Sequence, residues 1–281
     1  MNITPLTTHD GLTLQLREWP VPDARGAVVI VHGLGEHVGR HAHVAARLNA
    51  EGWTVVGHDQ RGHGSSEGPR GALSQADDFL SDLASVIDIA RSRSAGPLVL
   101  LGHSLGGLIA SRFVLGAAGA AWRRDVDALV MSSPALDPGM NALQKGLLAV
   151  LGPIAPNLAV NNGLKPAWLS HDPAVVRAYQ ADPLVHDRVT PRLARFIVDG
   201  GVAVRAAASA WRVPTLLMWA GSDRCVAPAG SAEFAAAAPS EWVSTREFKP
   251  LFHEIFNEPE QAEVFGVLTA WLARRGLSAR P

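Results

Sequence analysis

The stretch Gly102-His103-Ser104-Leu105-Gly106-Gly107 constrains this chain more than any other. It follows the apolar run Leu98-Val99-Leu100-Leu101, which reads as a buried strand, and it precedes 108–115, which continues as a helix. A serine between two glycines at a strand-to-helix junction forms a nucleophile elbow. The turn is so sharp that a side chain two places before or after the serine would strike the crossing backbone, so glycine stands at both. The serine hydroxyl is then exposed at a helix N-terminus, where developing negative charge is favoured.

The rest of the chain carries strands alternating with helices. Segments 3–8 and 12–19 read as a hairpin turned by His9-Asp10-Gly11. Leu12, Leu14 and Leu16 alternate with polar residues, as on a strand with one wet face. Segment 27–31 is a continuous apolar run suited to a parallel strand covered on both sides. Further strands are expected at 54–57, 126–131, 215–219 and 242–248, with helices at 44–50, 76–92, 229–238 and 259–274. In the second of these helices Phe79, Leu83, Val86, Ile87 and Ala90 recur at helical spacing. The expected fold is α/β: a mostly parallel central sheet flanked by helices.

The alternation stops between Pro134 and about Gly200. So long an interruption is read as a functional insertion, a cap over the carboxyl ends of the strands. The expected division is a core of 1–134 and 200–281 with a cap of 135–199. Within the cap, Leu143, Leu147, Val150, Leu151 and Ile154 form an apolar stripe that Pro153 and Pro156 should end early. The stripe either packs on the core or lines an acyl path and meets lipid aggregates; Leu143, Leu147 and Leu151 are its candidate substrate contacts.

Composition narrows the class. Apolar residues make up 47% of the 281, which is globular, and the net charge of −1 offers nothing to a nucleic acid. The single cysteine, Cys225, excludes an intrachain disulfide and a cysteine-based metal site. His32, His37, His41, His43, His58 and His63, with Asp59, match no common metal-ligand spacing, so neither metal nor cofactor is expected. No basic-then-apolar segment opens the chain and no long apolar run crosses it, so the expected location is the cytoplasm.

A nucleophilic serine needs a base, and the base needs an orienting acid. On this fold they follow the serine in the order acid, then histidine. Asp223 stands just after the strand 215–219, and His253 just after the strand 242–248. The rivals, Asp199 as acid and His171 and His186 as bases, fall inside the cap. The oxyanion donors expected on this fold are the backbone N–H groups of Leu105 and of Leu34, which lies in the Gly-rich loop after the strand 27–31. Glu36 and Arg40 share that loop, either as contacts for the alcohol side of an ester or as an ion pair that orients the loop.

The motifs HGLGEHVGR at 32–40, GHDQRGHGSS at 57–66, GHSLGG at 102–107, GSD at 221–223 and HEIFNE at 253–258 occur in that order. This order resembles the monoacylglycerol lipase group of α/β-hydrolases, which takes in lysophospholipase-like and serine aminopeptidase S33-like proteins. The resemblance covers essentially the whole chain outside the cap. It implies cleavage of a monoacylglycerol to fatty acid and glycerol, a mobile apolar cap in transient contact with a membrane or micelle surface, and no cofactor. On matching positions it implies Ser104, Asp223 and His253 as the triad, Leu34 and Leu105 as oxyanion donors, and Glu36 and Arg40 near the glycerol end. His41 and Phe252 depart from the tyrosines frequent at those places in the group. Lysophospholipase or broad esterase activity shares the chemistry. A non-catalytic binding protein on the same fold is the competing class, and a complete triad argues against it.

Overall fold

In the computed structural model, which describes residues 1–116 and 119–274, Val29 and Val31 pack into one apolar layer, Val28 and Ile30 into another. This two-sided burial is why the run reads as uninterrupted hydrophobic sequence. The chain begins with β1 (Asn2–Thr7), β2 (Thr13–Trp19), β3 (Gly26–Val31), α1 (Ala42–Ala50), β4 (Trp53–His58), α2 (Asp78–Arg93), β5 (Leu98–His103), α3 (Leu105–Leu115) and β6 (Ala128–Ser132). The insertion contributes α4 (Ala142–Ile154), β7 (Val160–Asn161), α5 (Pro173–Ala181), β8 (Arg188–Val189) and α6 (Pro191–Ala206). The core resumes with β9 (Thr215–Ala220), α7 (Pro228–Ala237), β10 (Val243–Phe248) and α8 (Gln261–Arg274).

The strands form one eight-stranded sheet in the order β1-β2-β4-β3-β5-β6-β9-β10. The β1–β2 and β2–β4 pairs are antiparallel, and every pair from β4 to β10 is parallel. The expected hairpin is present, closed by the Thr8 N–H to Leu12 carbonyl bond at 2.8 Å, with Gly11 at φ 87°. Leu14 and Leu16 are buried, and Leu12 at the strand's mouth is half-buried. In α2 the five apolar residues singled out by spacing are all buried, together with Asp78 and Asp82. Those acids meet the buried Arg61 at 3.0 and 2.7 Å, which satisfies a cation that could not otherwise stay buried.

Two details of the insertion differ from the sequence reading. Helix α6 runs through the boundary expected at 199/200, because Leu193, Phe196, Gly200, Gly201 and Val204 lie on its buried side. Helix α4 is not stopped by Pro153, which sits inside its last turn; the helix ends at Ile154 and Pro156 follows its C-cap. The α4 face carrying Leu143, Leu147, Val150 and Ile154 is exposed, and Leu148 and Leu151 are its half-buried side, toward α6. Among the described residues no helix is long and apolar enough to cross a membrane.

Candidate active site

Ser104 takes φ 54° and ψ −119° between β5 and α3, a conformation that L-residues adopt only under constraint. The constraint is visible on both sides. Its N–H donates to the Ser132 carbonyl at 2.9 Å, and its carbonyl accepts from Ala135 at 3.0 Å and Leu108 at 3.1 Å. A Cβ on Gly102 would strike the Gly106 carbonyl, and one on Gly106 would strike the Val31 carbonyl. Only glycine lets the helix start so close to the neighbouring strand.

Asp223 follows β9 and His253 follows β10, so serine, acid and base all sit beyond carboxyl ends of parallel strands. His253 Nδ1 and Asp223 Oδ2 are 2.7 Å apart, and both side chains are buried. The other Asp223 oxygen accepts the backbone N–H groups of Cys225 and Val226 at 2.8 and 3.1 Å. Burial acts to lower the His253 pKa, but the Asp223 carboxylate outweighs it and holds the imidazole above the ordinary histidine value. Among the described residues no hydrogen bond joins Ser104 Oγ to His253. The two loops are nevertheless adjacent, because the rings of His103 and His253 lie 4.8 Å apart between centroids. Catalytic contacts of this kind commonly tighten only with substrate in place.

Leu105 opens α3 as its first residue, so its N–H has no helical acceptor. Leu34 lies in the loop after β3, whose Gly33 packs against Ser104: a Cβ on Gly33 would come within 3.2 Å of the Ser104 Cβ. Glu36 shapes this loop. Its Oε1 accepts the Gly33 N–H at 2.6 Å, and its Oε2 meets Arg40 at 2.7 Å. Arg40 then grips Glu254 through two bonds of 2.6 and 2.7 Å, and its guanidinium lies 4.8 Å over the Tyr179 ring of α5. Of the two uses open to Glu36 and Arg40 in the sequence, this geometry is the ion pair that orients the loop. Burial opposes charge on Glu36, yet His41 and Arg40 beside it keep the carboxyl well below its usual range.

Glu254 is the residue that sequence reasoning passed over, although it stands next to His253 in the motif quoted for the resemblance. With it, one arginine ties the oxyanion loop, the histidine loop and the cap together. Glu258, fully buried, was likewise unassigned; it accepts the N–H groups of Phe252 and His171 at 2.6 and 3.1 Å. The cap is also stitched to the oxyanion loop, where His186 N–H meets the Gly35 carbonyl at 2.9 Å and His37 meets Asp182 at 2.8 Å.

The rival triad members lie elsewhere. Asp199 is exposed on α6 and faces Arg195 at 3.7 Å. His171 stacks on Phe252 and pairs with Glu258, and the His186 ring lies tilted against His63 at 4.7 Å between centroids. Asp223, Cys225 and His253 also present metal-ligand atoms within 4.8 Å of one another. The first and last are already joined by their hydrogen bond, and burial pushes the Cys225 thiol up, away from the thiolate that a metal requires. The arrangement suits acyl transfer by a serine.

A strained serine at an elbow and a buried acid–histidine pair on an α/β sheet define the class: a serine hydrolase of the lipase and esterase type. The chain belongs to the serine aminopeptidase S33 family, which it matches over residues 22–260. It is 37% identical over 257 residues to a monoacylglycerol lipase of Mycolicibacterium smegmatis, covering 90% of each chain. It is 30% identical to the phospholipase YtpA of Bacillus subtilis, covering 90% of this chain and 97% of that one. The crystal structure of a monoacylglycerol lipase from Paleococcus ferrophilus superposes with a TM-score of 0.81 at 34% identity, covering 93% of this chain and 98% of the other.

Proposed function

We propose that this protein hydrolyses monoacylglycerols to fatty acid and glycerol, with Ser104 as nucleophile, His253 as general base and acid, and Asp223 as the group that orients and stabilises the imidazolium. The observation that carries the reading is the buried 2.7 Å His253–Asp223 pair beside a serine held at φ 54°. The 37% identity to a monoacylglycerol lipase supports the choice of substrate.

In the proposed cycle Ser104 Oγ attacks the ester carbonyl carbon and passes its proton to His253. The carbonyl oxygen becomes an oxyanion held by the N–H groups of Leu34 and Leu105, each of which is worth about 2.7–4 kcal/mol of barrier by analogy with other such donors. The tetrahedral adduct collapses, the C–O bond to glycerol breaks, and His253 returns the proton to the leaving alkoxide. Water then attacks the acyl-enzyme by the same route in reverse roles, releasing the fatty acid and restoring Ser104. Glu36, Arg40 and Glu254 hold the oxyanion loop against the histidine loop. The exposed α4 face, with Leu143 and Leu147, would rest on the substrate's micelle or membrane surface, and Leu151 on the opposite side would face the acyl path. A cytoplasmic setting is consistent with the single, buried, unpaired thiol.

The same chemistry on a lysophospholipid is a second reading, favoured by the 30% identity to a phospholipase. A panel of monoacylglycerols, lysophospholipids and p-nitrophenyl esters decides between them, with Ser104→Ala as control. Turnover of the monoacylglycerols at the highest kcat/KM is expected. Preference for lysophospholipids would replace the substrate assignment, and fluorophosphonate labelling that persists in Ser104→Ala would remove the nucleophile assignment.

A further inference from the structure

A cavity of about 600 Å³ lies between the core and the cap, walled by α3, α4, α6 and the segment before α2. Ser104, Asp223 and His253 do not line it. Its size is within the ~300–1,000 Å³ of small-molecule sites. Three arginines reach it, Arg112, Arg192 and Arg195, against one carboxylate, Asp199. Leu73, Ala76, Pro156 and Ala203 supply apolar wall.

Arg112 is the unusual member. It is half-buried, and its guanidinium lies 4.5 Å over the Phe196 ring. Among the described residues its guanidinium makes neither a hydrogen bond nor an ion pair with a protein side chain, so its donors are free to meet a ligand in the cavity. Asp77 and Asp199 act on it only through space, and burial still pulls its pKa below the ordinary arginine value. A partly desolvated cation of this kind gains from an anion that reaches it. The other two arginines are weakly engaged: Arg192 reaches Asn157 at 3.4 Å and Arg195 reaches Asp199 at 3.7 Å.

The helices around the cavity make room for these side chains. A Cβ on Gly200 would come within 2.7 Å of Arg112 Cδ, and one on Gly152 within 3.2 Å of Arg195 Cδ. Both glycines stand inside helices, where glycine is disfavoured, and in both places an arginine stem fills the space a side chain would take.

We propose that this cavity binds an amphiphilic anion, the carboxylate of a medium- or long-chain fatty acid, with its head on Arg112, Arg192 and Arg195 and its alkyl chain along the apolar wall. The guanidinium fork matches a carboxylate, and the apolar wall selects an anion that carries a tail. Because α3 belongs to the core and α4 and α6 to the cap, an occupant touches both and couples the cap to the level of free fatty acid. The source of that acid, as product of the protein's own reaction, rests on the function proposed above; the binding does not.

The test uses Ser104→Ala protein, so that binding is read without turnover. Calorimetric titration with octanoate should give saturable binding. Adding Arg112→Gln should weaken it tenfold or more, and adding Arg195→Gln should weaken it as well, while 1-octanol binds more weakly and responds to neither change. With Ser104 intact, Arg112→Gln should keep wild-type turnover of p-nitrophenyl acetate, which certifies its fold; if it does not, Arg192→Gln and Arg195→Gln carry the test. Octanoate affinity unchanged by these substitutions, octanol binding equal to octanoate, or inorganic phosphate binding as tightly as octanoate would each overturn the proposal. A failure of monoacylglycerol turnover would leave these measurements unaffected, so the two readings fail separately.

Discussion

Replacing Ser104 with glycine should stabilise the protein, whereas replacing it with alanine should not. At φ 54° and ψ −119° the serine occupies a region that costs a residue with a Cβ on the order of 1–3 kcal/mol. The backbone bonds to Ser132, Ala135 and Leu108 keep it there, so the strain cannot relax by a local turn of the chain. Glycine adopts the same dihedrals freely but also loosens the unfolded chain, which offsets about 0.4–1 kcal/mol. The net gain for Ser104→Gly is therefore about 1.3 kcal/mol at mid-range and at most about 2.6 kcal/mol, or about 2–4 °C in Tm for a chain of this size. Ser104→Ala keeps the Cβ and with it the strain; the hydroxyl makes no hydrogen bond among the described residues, so its loss should change stability by less than about 0.5 kcal/mol. Urea unfolding and calorimetry of the three proteins at neutral pH make the comparison, and both variants should be inactive. If the glycine variant is no more stable than the alanine variant, the elbow is not strained and the argument from its dihedrals is wrong.

Three further outcomes are expected. In the wild type kcat/KM should fall on the acid side through an ionisation above about 6.5, because the enzyme needs neutral His253 and Asp223 raises its pKa; Asp223→Asn should move that limb to lower pH and cut kcat by about 10³–10⁴, and an unmoved limb would dissociate Asp223 from the base. Burial pushes His32, His58 and His103 down to about 3. Since the unfolded chain then binds more protons below about pH 6.5, these three alone should lower stability by about 3 kcal/mol as pH falls from 6.5 to 5.5, with the lowered His43, His63 and His186 adding to the loss and the raised His253 partly opposing it; a urea midpoint that is flat or rises over that interval would contradict this. Leu143→Ser with Leu147→Ser should leave Tm and p-nitrophenyl acetate turnover unchanged, because both side chains are exposed, and should slow hydrolysis of long-chain monoacylglycerol dispersions; equal losses on both substrates would show that the α4 face serves the core.

Arg40 joins three parts of the site at one guanidinium. Its two carboxylate partners come from the oxyanion loop and the histidine loop, 218 residues apart at Glu36 and Glu254, and its ring contact comes from the cap. Placing three segments on one guanidinium ties the loop that carries Leu34 to the loop that carries His253 and to the cap.

Local patterns were enough for much of this. Period-2 and period-3.6 hydrophobicity marked the strands and helices of the core, uninterrupted apolar runs marked the strands covered on both faces, and the glycines at 102 and 106 marked the elbow, because each of these is a property of neighbours in the chain. The positions of Asp223 and His253 after successive strands could be read for the same reason: a parallel sheet sends every strand's carboxyl end to the same edge. Other features were settled only by tertiary structure. Whether Glu36 and Arg40 face a substrate or each other depended on Glu254, a partner far away in sequence. Whether the α4 stripe is core or surface depended on which side α6 covers, and periodicity alone does not say which apolar face of a helix finds a partner. Pro153 does not stop its helix before the last turn: it forfeits the N–H that would bond the Ala149 carbonyl, but only Ile154 follows it, so one bond is lost at the end of α4, and the boundary at 199/200 dissolves into α6 because its buried residues continue on both sides of it. The arginines at 112, 192 and 195 form no sequence motif, and folding gathers them around one cavity, since electrostatic neighbours are chosen by distance in space and not along the chain.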